Sequence, residues 1–174
     1  MAHDDELREF LAARLDRLSA TAYLLTGNHH DAEDLLQAAL VKVTARWPRI
    51  HELRDPGHYV WRVLYNEHVS LWRRRRRRIT AYAEEDLSAY ASGRDEAAHV
   101  VRRLVIQQAL ARLTPKQRAV VVLRYFEDLT EEESARILGC TLGTIKSQTH
   151  RALAKLRQVA PELEHLWLDG AGVR

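Results

Sequence analysis

The sequence predicts an all-α protein of two small helical domains joined by an acidic linker, with a helix-turn-helix in the second domain. Helices are favoured because the 174 residues include only 7 Gly and 4 Pro. No stretch alternates apolar and polar residues for long enough to indicate a strand. Residues 79–98 carry one Arg against five Asp or Glu, and a block with excess Lys and Arg lies on either side. We therefore expect domains at 1–78 and 99–160, a linker at 79–98 and a tail at 161–174.

Composition and charge also narrow the class of protein. No segment approaches the roughly 20 apolar residues needed to cross a bilayer, so we expect a cytoplasmic protein without membrane insertion. The single cysteine, Cys140, excludes an intramolecular disulfide and a cysteine-based zinc site. The two basic blocks and the formal net charge of +3 favour a polyanionic partner.

Three helices are predicted in the first block. Leucine and alanine recur at steps of three and four from Glu6 to Leu25, which predicts one long core helix. Asp31 is expected to cap the second helix, which we expect to end around residues 47–50. Asp55 is expected to cap the third helix, because Pro56 follows at the position where a helix tolerates proline best.

Acid and amide side chains cluster at the start of the second helix. Asp31, Asp34 and Gln37 lie on its first turns, where negative charge complements the helix dipole. Capping accounts fully for these acids, and an acidic docking edge for a large partner accounts for them equally well. Spacing alone does not decide between the two.

The third helix combines an apolar stripe with a second, aromatic one. Trp61, Tyr65, His68 and Trp72 line up at steps of four, three and four, and they lead directly into six consecutive arginines at 73–78. Such a stripe is often part of a core. Aromatic side chains followed by an arginine run also suit stacking on unpaired bases while the cations hold the phosphate backbone.

Residues 130–157 predict a helix, a tight turn and a second helix. Thr130 and Glu133 form a capping-box pair, Gly139 suits a left-handed stop, and Thr141 can cap the next helix. In that helix the apolar residues fall on one stripe, and the opposite face is polar and basic. This arrangement predicts a helix-turn-helix whose second helix reads DNA. Its candidate residues are Thr144, Lys146, Ser147, Gln148, His150, Arg151 and Lys155.

The remainder of the second domain is predicted to support that motif. Leu104, Val105, Ile106, Leu110 and Leu113 predict a helix, and a second capping box with proline follows at 114–117. Residues 120–126 are expected to form a core segment. We expect the tail after Pro161 to pack on this domain.

Four phrases in order resemble the extracytoplasmic-function (ECF) group of bacterial RNA polymerase sigma factors, and its actinobacterial branch in particular. They are DAEDLLQ at 31–37, YVWRVLYN at 59–66 before the arginine run, LTPKQRA at 113–119 and LGCTLGTIKS at 138–147. The resemblance implies that the first domain binds the polymerase clamp and melts the downstream promoter element. It implies that the second domain reads the upstream element, and that the acidic linker runs towards the polymerase catalytic channel.

The resemblance also implies partners and site residues. Core RNA polymerase and promoter DNA, double- and single-stranded, are the expected partners, and an anti-sigma factor stays open as another. Asp31, Asp34 and Gln37 match the clamp-docking helix, and Asn66 matches a polar position of the melting helix. No catalytic residue, metal or cofactor is predicted. The expected melting set is Trp61, Tyr65, Asn66, Trp72, Arg73, Arg74, Arg75 and Arg76.

Two other classes of protein share some of these features. A DNA-binding repressor or activator would have the helix-turn-helix, but we would expect a ligand-binding or dimerisation domain and no aromatic-arginine helix. A metal-dependent phosphohydrolase is suggested by His29, His30 and Asp31, but that chemistry needs further His and Asp ligands. Metal content and binding to core polymerase would separate these classes.

Overall fold

The computed structural model describes residues 2–79 and 97–164, with side chains over residues 4–74 and 104–164. This part of the chain contains eight α-helices, a π-helix and a 3-10 helix but no strand, so the all-α prediction is confirmed. Most of the predicted linker and tail lies outside it. The helices are α1 (Ala2–Ala12), α2 (Leu15–Thr26), α3 (His29–Ile50), α4 (Pro56–Ile79), α5 (Ala97–Ala111), α6 (Pro115–Val121), the π-helix (Val122–Phe126), α7 (Glu131–Leu138), α8 (Leu142–Val159) and the 3-10 helix (Pro161–Leu163).

The first unit, residues 2–79, is built around α3. Helices α2 and α4 both pack along it, and their apolar stripes bury Leu18, Leu35, Val43 and Leu64 to 2% exposure or less. The Lys42 ammonium of α3 also donates to the buried Glu67 carboxylate of α4. Helix α4 is thereby held on α3 by both packing and an ion pair.

The predicted first helix is two helices, and the prediction of a single one is wrong. The chain turns at residues 13–14, where Arg14 leaves helical geometry at φ −125° and ψ −9°. The turn lets α1 lie on α3, with the ring centroids of Phe10 and Trp47 4.8 Å apart. Leu15, expected in the core, is 42% exposed as a result.

The predicted N-cap of α3 is also wrong, whereas its predicted end at residues 47–50 is confirmed. Asn28 is the N-cap and accepts from the Asp31 amide at 2.9 Å, whereas Asp31 itself lies in the first turn. At the other end the helix continues through Pro48 to Ile50. Trp47 and Ile50 are buried on either side of the proline, so packing of the last turn favours the continued helix.

The second unit, residues 97–164, confirms the predicted caps. Thr114 with Gln117 and Thr130 with Glu133 both form reciprocal capping boxes. Leu110, Ala152, Leu156 and Leu163 join α5, α8 and the 3-10 helix in one apolar cluster. Leu104, one of the apolar residues that predict α5, is 46% exposed. The predicted core segment at 120–126 is the end of α6 followed by the π-helix.

The two units pack against each other. Helix α2 contacts α5, α6 and the π-helix, and α4 contacts α6 and α7. Ala119 and Val122 of the second unit are buried within the core of the first. The surface of α4 is therefore shared between its own unit and the helix-turn-helix.

Candidate nucleic-acid interface

The turn between α7 and α8 has the geometry of a helix-turn-helix. Gly139 ends α7 at φ 61°, a conformation that glycine adopts without steric cost, and its amide donates to the Ala135 carbonyl. Thr141 then caps α8 by accepting from the Thr144 amide at 3.2 Å. Three residues, Gly139 to Thr141, thus set the angle between the two helices.

Helix α8 has a buried side and an exposed polar side. Ile145, Ala152 and Leu156 are fully buried, as the apolar stripe predicts. The predicted reading residues share the other side: Thr144, Lys146, Ser147, His150, Arg151 and Lys155 are exposed, and Gln148 is half-buried. The N-terminal turns of α8 therefore present hydroxyl, amide and cationic groups to solvent, as a reading helix must.

Charge is divided between the two helices of this motif. Glu131 to Glu133 lie in the first turn of α7, where the Thr130 backbone and side-chain hydrogen bonds hold the pKa of Glu133 below its usual value. The Lys146 ammonium lies 3.9 Å from the Glu131 carboxylate. No acid lies in the first turn of α8, so its basic side remains available to an anion.

The aromatic side chains of α4 do not share one environment. Tyr65 and His68 are 8% and 6% exposed, so these two members of the stripe belong to the core, although Tyr65 was expected in the melting set. Burial raises the pKa of Tyr65 to about 12. Trp61 is half-buried and Trp72 is 38% exposed, so within this stripe of four it is Trp61 and Trp72 that keep surface that a base could reach.

Trp61 lies at the junction of the two units. It lines an apolar crevice with Leu64 and Tyr65 of α4 and with Ala119, Val122 and Leu123 of the second unit. The Arg17 guanidinium carbon lies 5.9 Å from the centre of the Trp61 ring. The second unit thus covers part of the ring that was predicted to stack on a base.

The polar residues of the melting set are accessible where they are described. Asn66, Arg73 and Arg74 are exposed on α4. The side chains of Arg75 and Arg76 lie outside the described residues, although both positions are within the helix. The helix thus carries its arginines beyond the part that packs on α3.

The predicted docking residues also differ in exposure. Asp34 and Gln37 are exposed, but Asp31 is 5% exposed and accepts from the Asn28 amide nitrogen Nδ2 at 2.6 Å. Asp31 therefore serves the start of α3 in this structure and presents little surface to a partner. The helical spacing gives no indication that the Asp31 carboxylate is buried and bound by Asn28.

A groove connects the predicted docking acids of α3 to α4. It is lined by Asp31 and Asp34 of α3, His68 and Trp72 of α4, and Arg118 of α6. Burial, helped by the nearby Arg118 charge, lowers the pKa of His68 to about 4. Burial likewise lowers the pKa of Arg118 to about 10. Within the described ranges, no three His, Cys, Asp or Glu side chains are grouped to hold a metal ion.

Two family models match the chain. The model described as Sigma-70 region 2 matches residues 10–78, and the model for Sigma-70 region 4 matches residues 103–156. An RNA polymerase sigma-E factor of Streptomyces avermitilis is 40% identical over 171 residues, which cover 97% of this chain and 92% of the relative. The chain belongs to the ECF sigma factors.

More distant relatives agree with this assignment. The ECF sigma factor SigE of Mycolicibacterium smegmatis is 36% identical over 86% of this chain and 59% of its own length. The sigma factor RpoE of Bartonella quintana, solved with the anti-sigma factor NepR, superposes with a TM-score of 0.75 at 27% identity, over 90% of this chain and 97% of that one. Sigma factors direct transcription initiation and are not a family of catalytic enzymes. None of the helices in the described residues is long and apolar enough to span a membrane.

Four side chains that join the two units, those of Arg17, Thr21, Arg118 and Glu127, have no signal in the local sequence. Glu127 contacts Arg17 and Thr21 of α2, and Arg118 donates to the Leu25 carbonyl at 2.7 Å. Arg17 and Glu127 are 110 residues apart, so no local pattern relates them. Arg118 was noted only as part of the LTPKQRA phrase.

Proposed function

We propose that this sigma factor binds core RNA polymerase through its first unit and directs initiation at promoters whose upstream element is read by α8. The observation that carries the proposal is the exposed polar and basic side of α8 in a helix-turn-helix whose caps all form. Thr144, Lys146, Ser147, Gln148, His150, Arg151 and Lys155 are the proposed contacts.

The downstream element is proposed to be opened by α4. Arg73 and Arg74, with Arg75 and Arg76 after them, would hold the phosphates of the separated strand, and Asn66 is exposed beside them. Trp61 and Trp72 are the members of the aromatic stripe that keep accessible surface. Of these, Trp61 is proposed to stack on an unpaired base, because stacking on a flat side chain stabilises a base outside the duplex. Tyr65 is proposed to support this helix from the core.

The polymerase is proposed to dock on α3. Asp34 and Gln37 are exposed near its N-terminal end, where they add negative charge and hydrogen-bonding groups to an accessible surface. Asp31 would contribute by fixing the start of the helix through Asn28. An anti-sigma factor is proposed as a second protein partner, because the Bartonella quintana relative was solved with one.

Run-off transcription tests the function directly. Core polymerase is incubated with genomic DNA fragments, with and without the purified protein, and transcripts are mapped. We expect discrete transcripts that need the protein and that share sequence upstream of their start sites. Absence of any protein-dependent transcript, together with binding to duplex DNA by the protein alone, would favour a repressor or activator instead.

Matched arginine variants connect the transcripts to α8. Arg151→Ala removes a proposed contact, whereas Arg112→Ala removes an exposed arginine that directly follows α5 in the same unit. We expect loss of transcripts with the first variant and normal transcripts with the second. Equal activity of the two variants would refute the assignment of the reading face.

A further inference from the structure

A polar clasp joins the second unit to α2. The Glu127 carboxylate is buried, and its two oxygens accept from the Arg17 guanidinium and the Thr21 hydroxyl. Arg17 also donates from Nη2 to the Glu127 backbone carbonyl at 2.9 Å. One residue of the second unit thus receives three hydrogen bonds from two side chains of the first.

A second contact extends the clasp along the same face of α2. Arg118 donates to the Leu25 carbonyl at 2.7 Å and to the Leu110 carbonyl at 2.8 Å. Arg17, Thr21 and Leu25 follow one another at steps of four, so they lie on one side of the helix. The second unit is therefore attached along two turns of α2.

The segment that presents Glu127 has unusual backbone geometry. Glu127 follows the π-helix at 122–126, and the Glu127 amide donates to the Val122 carbonyl at 3.0 Å. The next residue, Asp128, has φ 53°, which is uncommon for a residue other than glycine. π-helices and left-handed residues persist where surrounding contacts stabilise them, and they occur often at functional sites. The clasp supplies such contacts here.

The clasp lies beside Trp61. Arg17 contacts Glu127 and also lies 5.9 Å from the Trp61 ring centre, while Ala119 and Val122 line the crevice beside that ring. The Arg17 side chain is 60% exposed, so solvent screens its ion pair. A contact of this kind can hold two units together and still be broken by a partner, since interfaces within one chain commonly allow movement.

We propose that the Arg17–Thr21–Glu127 clasp is an autoinhibitory contact that masks Trp61. While it is closed, the second unit covers Trp61 and restricts its access to an unpaired base. When a large partner draws the two units apart, the clasp opens and the ring becomes available. The reading side of α8 is exposed in the closed form, so duplex binding is not masked. This proposal rests on the stacking role proposed above for Trp61.

Two variants with opposite changes of charge test the clasp in the full-length protein. Glu127→Ala removes the carboxylate, and Arg17→Ala removes its exposed partner with little risk to folding. Glu132→Ala is the matched control, because it removes an exposed carboxylate of α7 that lies outside the clasp. The separation of the units is followed by energy transfer between dyes on Thr44→Cys and Gln158→Cys in a Cys140→Ser background. Binding of a short single-stranded DNA of random sequence is followed by fluorescence anisotropy.

Both clasp variants are expected to lower energy transfer and to tighten single-strand binding, by up to about tenfold, because apparent affinity follows the fraction of open molecules. Arg17→Ala should tighten binding although it removes a positive charge. Glu132→Ala should change energy transfer and single-strand binding less than either clasp variant does. Adding Trp61→Ala should abolish the gain. Unchanged energy transfer in both variants would overturn the clasp. Lower energy transfer without tighter single-strand binding would overturn the masking of Trp61, and so would tighter binding that survives Trp61→Ala. Run-off transcription tests the sigma function separately.

Discussion

Helices α4 and α8 have similar sequence patterns but meet the rest of the molecule differently. Each begins with a capping residue and carries an apolar stripe, and each has a basic surface proposed to bind DNA. The basic side of α8 is exposed, whereas the aromatic side of α4 is partly covered by α6 and α7. Periodicity therefore predicts which side a helix buries in its own unit, but it does not predict what a second unit covers.

The largest effect is expected at Tyr65, which tests whether this part of α4 belongs to the core or to the proposed DNA surface. Tyr65→Ala should lower the free energy of unfolding by about 3–5 kcal/mol, as other large aromatic truncations in cores do. Tyr65→Phe keeps the ring and should lower the free energy of unfolding much less. Urea unfolding measures both. A stable Tyr65→Ala variant with a specific defect in promoter opening would instead return Tyr65 to the DNA surface.

The next effect is a pH dependence caused by His68. In the folded protein its pKa is about 4, mainly because it is buried and also because Arg118 is near, while in the unfolded chain it is about 6.5. Between these values the unfolded chain binds more protons, so the free energy of unfolding falls as the pH falls from 6.5 towards 4. The loss amounts to about 3 kcal/mol. Asp31 and Asp34 line the same groove and would moderate it.

Urea unfolding at a series of pH values measures this contribution. We expect His68→Leu to lose less stability on acidification than the unchanged protein. His150→Gln removes an exposed histidine of α8 and serves as the control, with an unchanged pH profile. Parallel profiles for the unchanged protein and His68→Leu would show that His68 does not titrate in this range.

Much of the fold could be predicted because its determinants are local. The capping boxes at Thr114 and Thr130 and the left-handed Gly139 each depend on residues three or four positions away. The wrong N-cap of α3 shows the limit of local rules, since Asn28 and Asp31 are both good caps and lie three residues apart. The break at Arg14 depends on Phe10 meeting Trp47, which is a contact between separate helices.

The candidate site was predictable to a similar extent. The exposed residues of α8 follow from the position of its apolar stripe, since one helix packing on one core determines both sides. The environment of Trp61 depends on Ala119 and Val122 in the other unit, and that of Asp31 on the Asn28 side chain. The spacing of apolar and polar residues in α3 and α4 predicts neither contact.

A DNA-binding measurement tests the exposed side of α8 directly. Arg151→Ala should weaken binding to the upstream element by about 1–3 kcal/mol if the guanidinium makes a bidentate base contact, with relaxed preference at one position. If it contacts a phosphate, affinity should fall across all sequences and the salt dependence should flatten. Arg112→Ala should change neither. Early thermal unfolding of Arg151→Ala with normal DNA binding would contradict its placement on the exposed side.

The smallest effect is expected at Trp61, because this side chain is half-buried and packs on the core as well as facing solvent. Trp61→Ala should leave polymerase binding near normal and reduce open-complex formation on a duplex promoter about tenfold, which corresponds to about 1.4 kcal/mol, within the range for stacking of one base. A premelted promoter should partly rescue the variant, since strand separation has already been supplied. Permanganate footprinting of both templates measures the unpaired thymines, and Trp61→Tyr, which retains a flat ring, should show an intermediate defect. Equal defects on duplex and premelted templates, or a large loss of stability, would mean that Trp61 acts in the core between the two units and not on DNA.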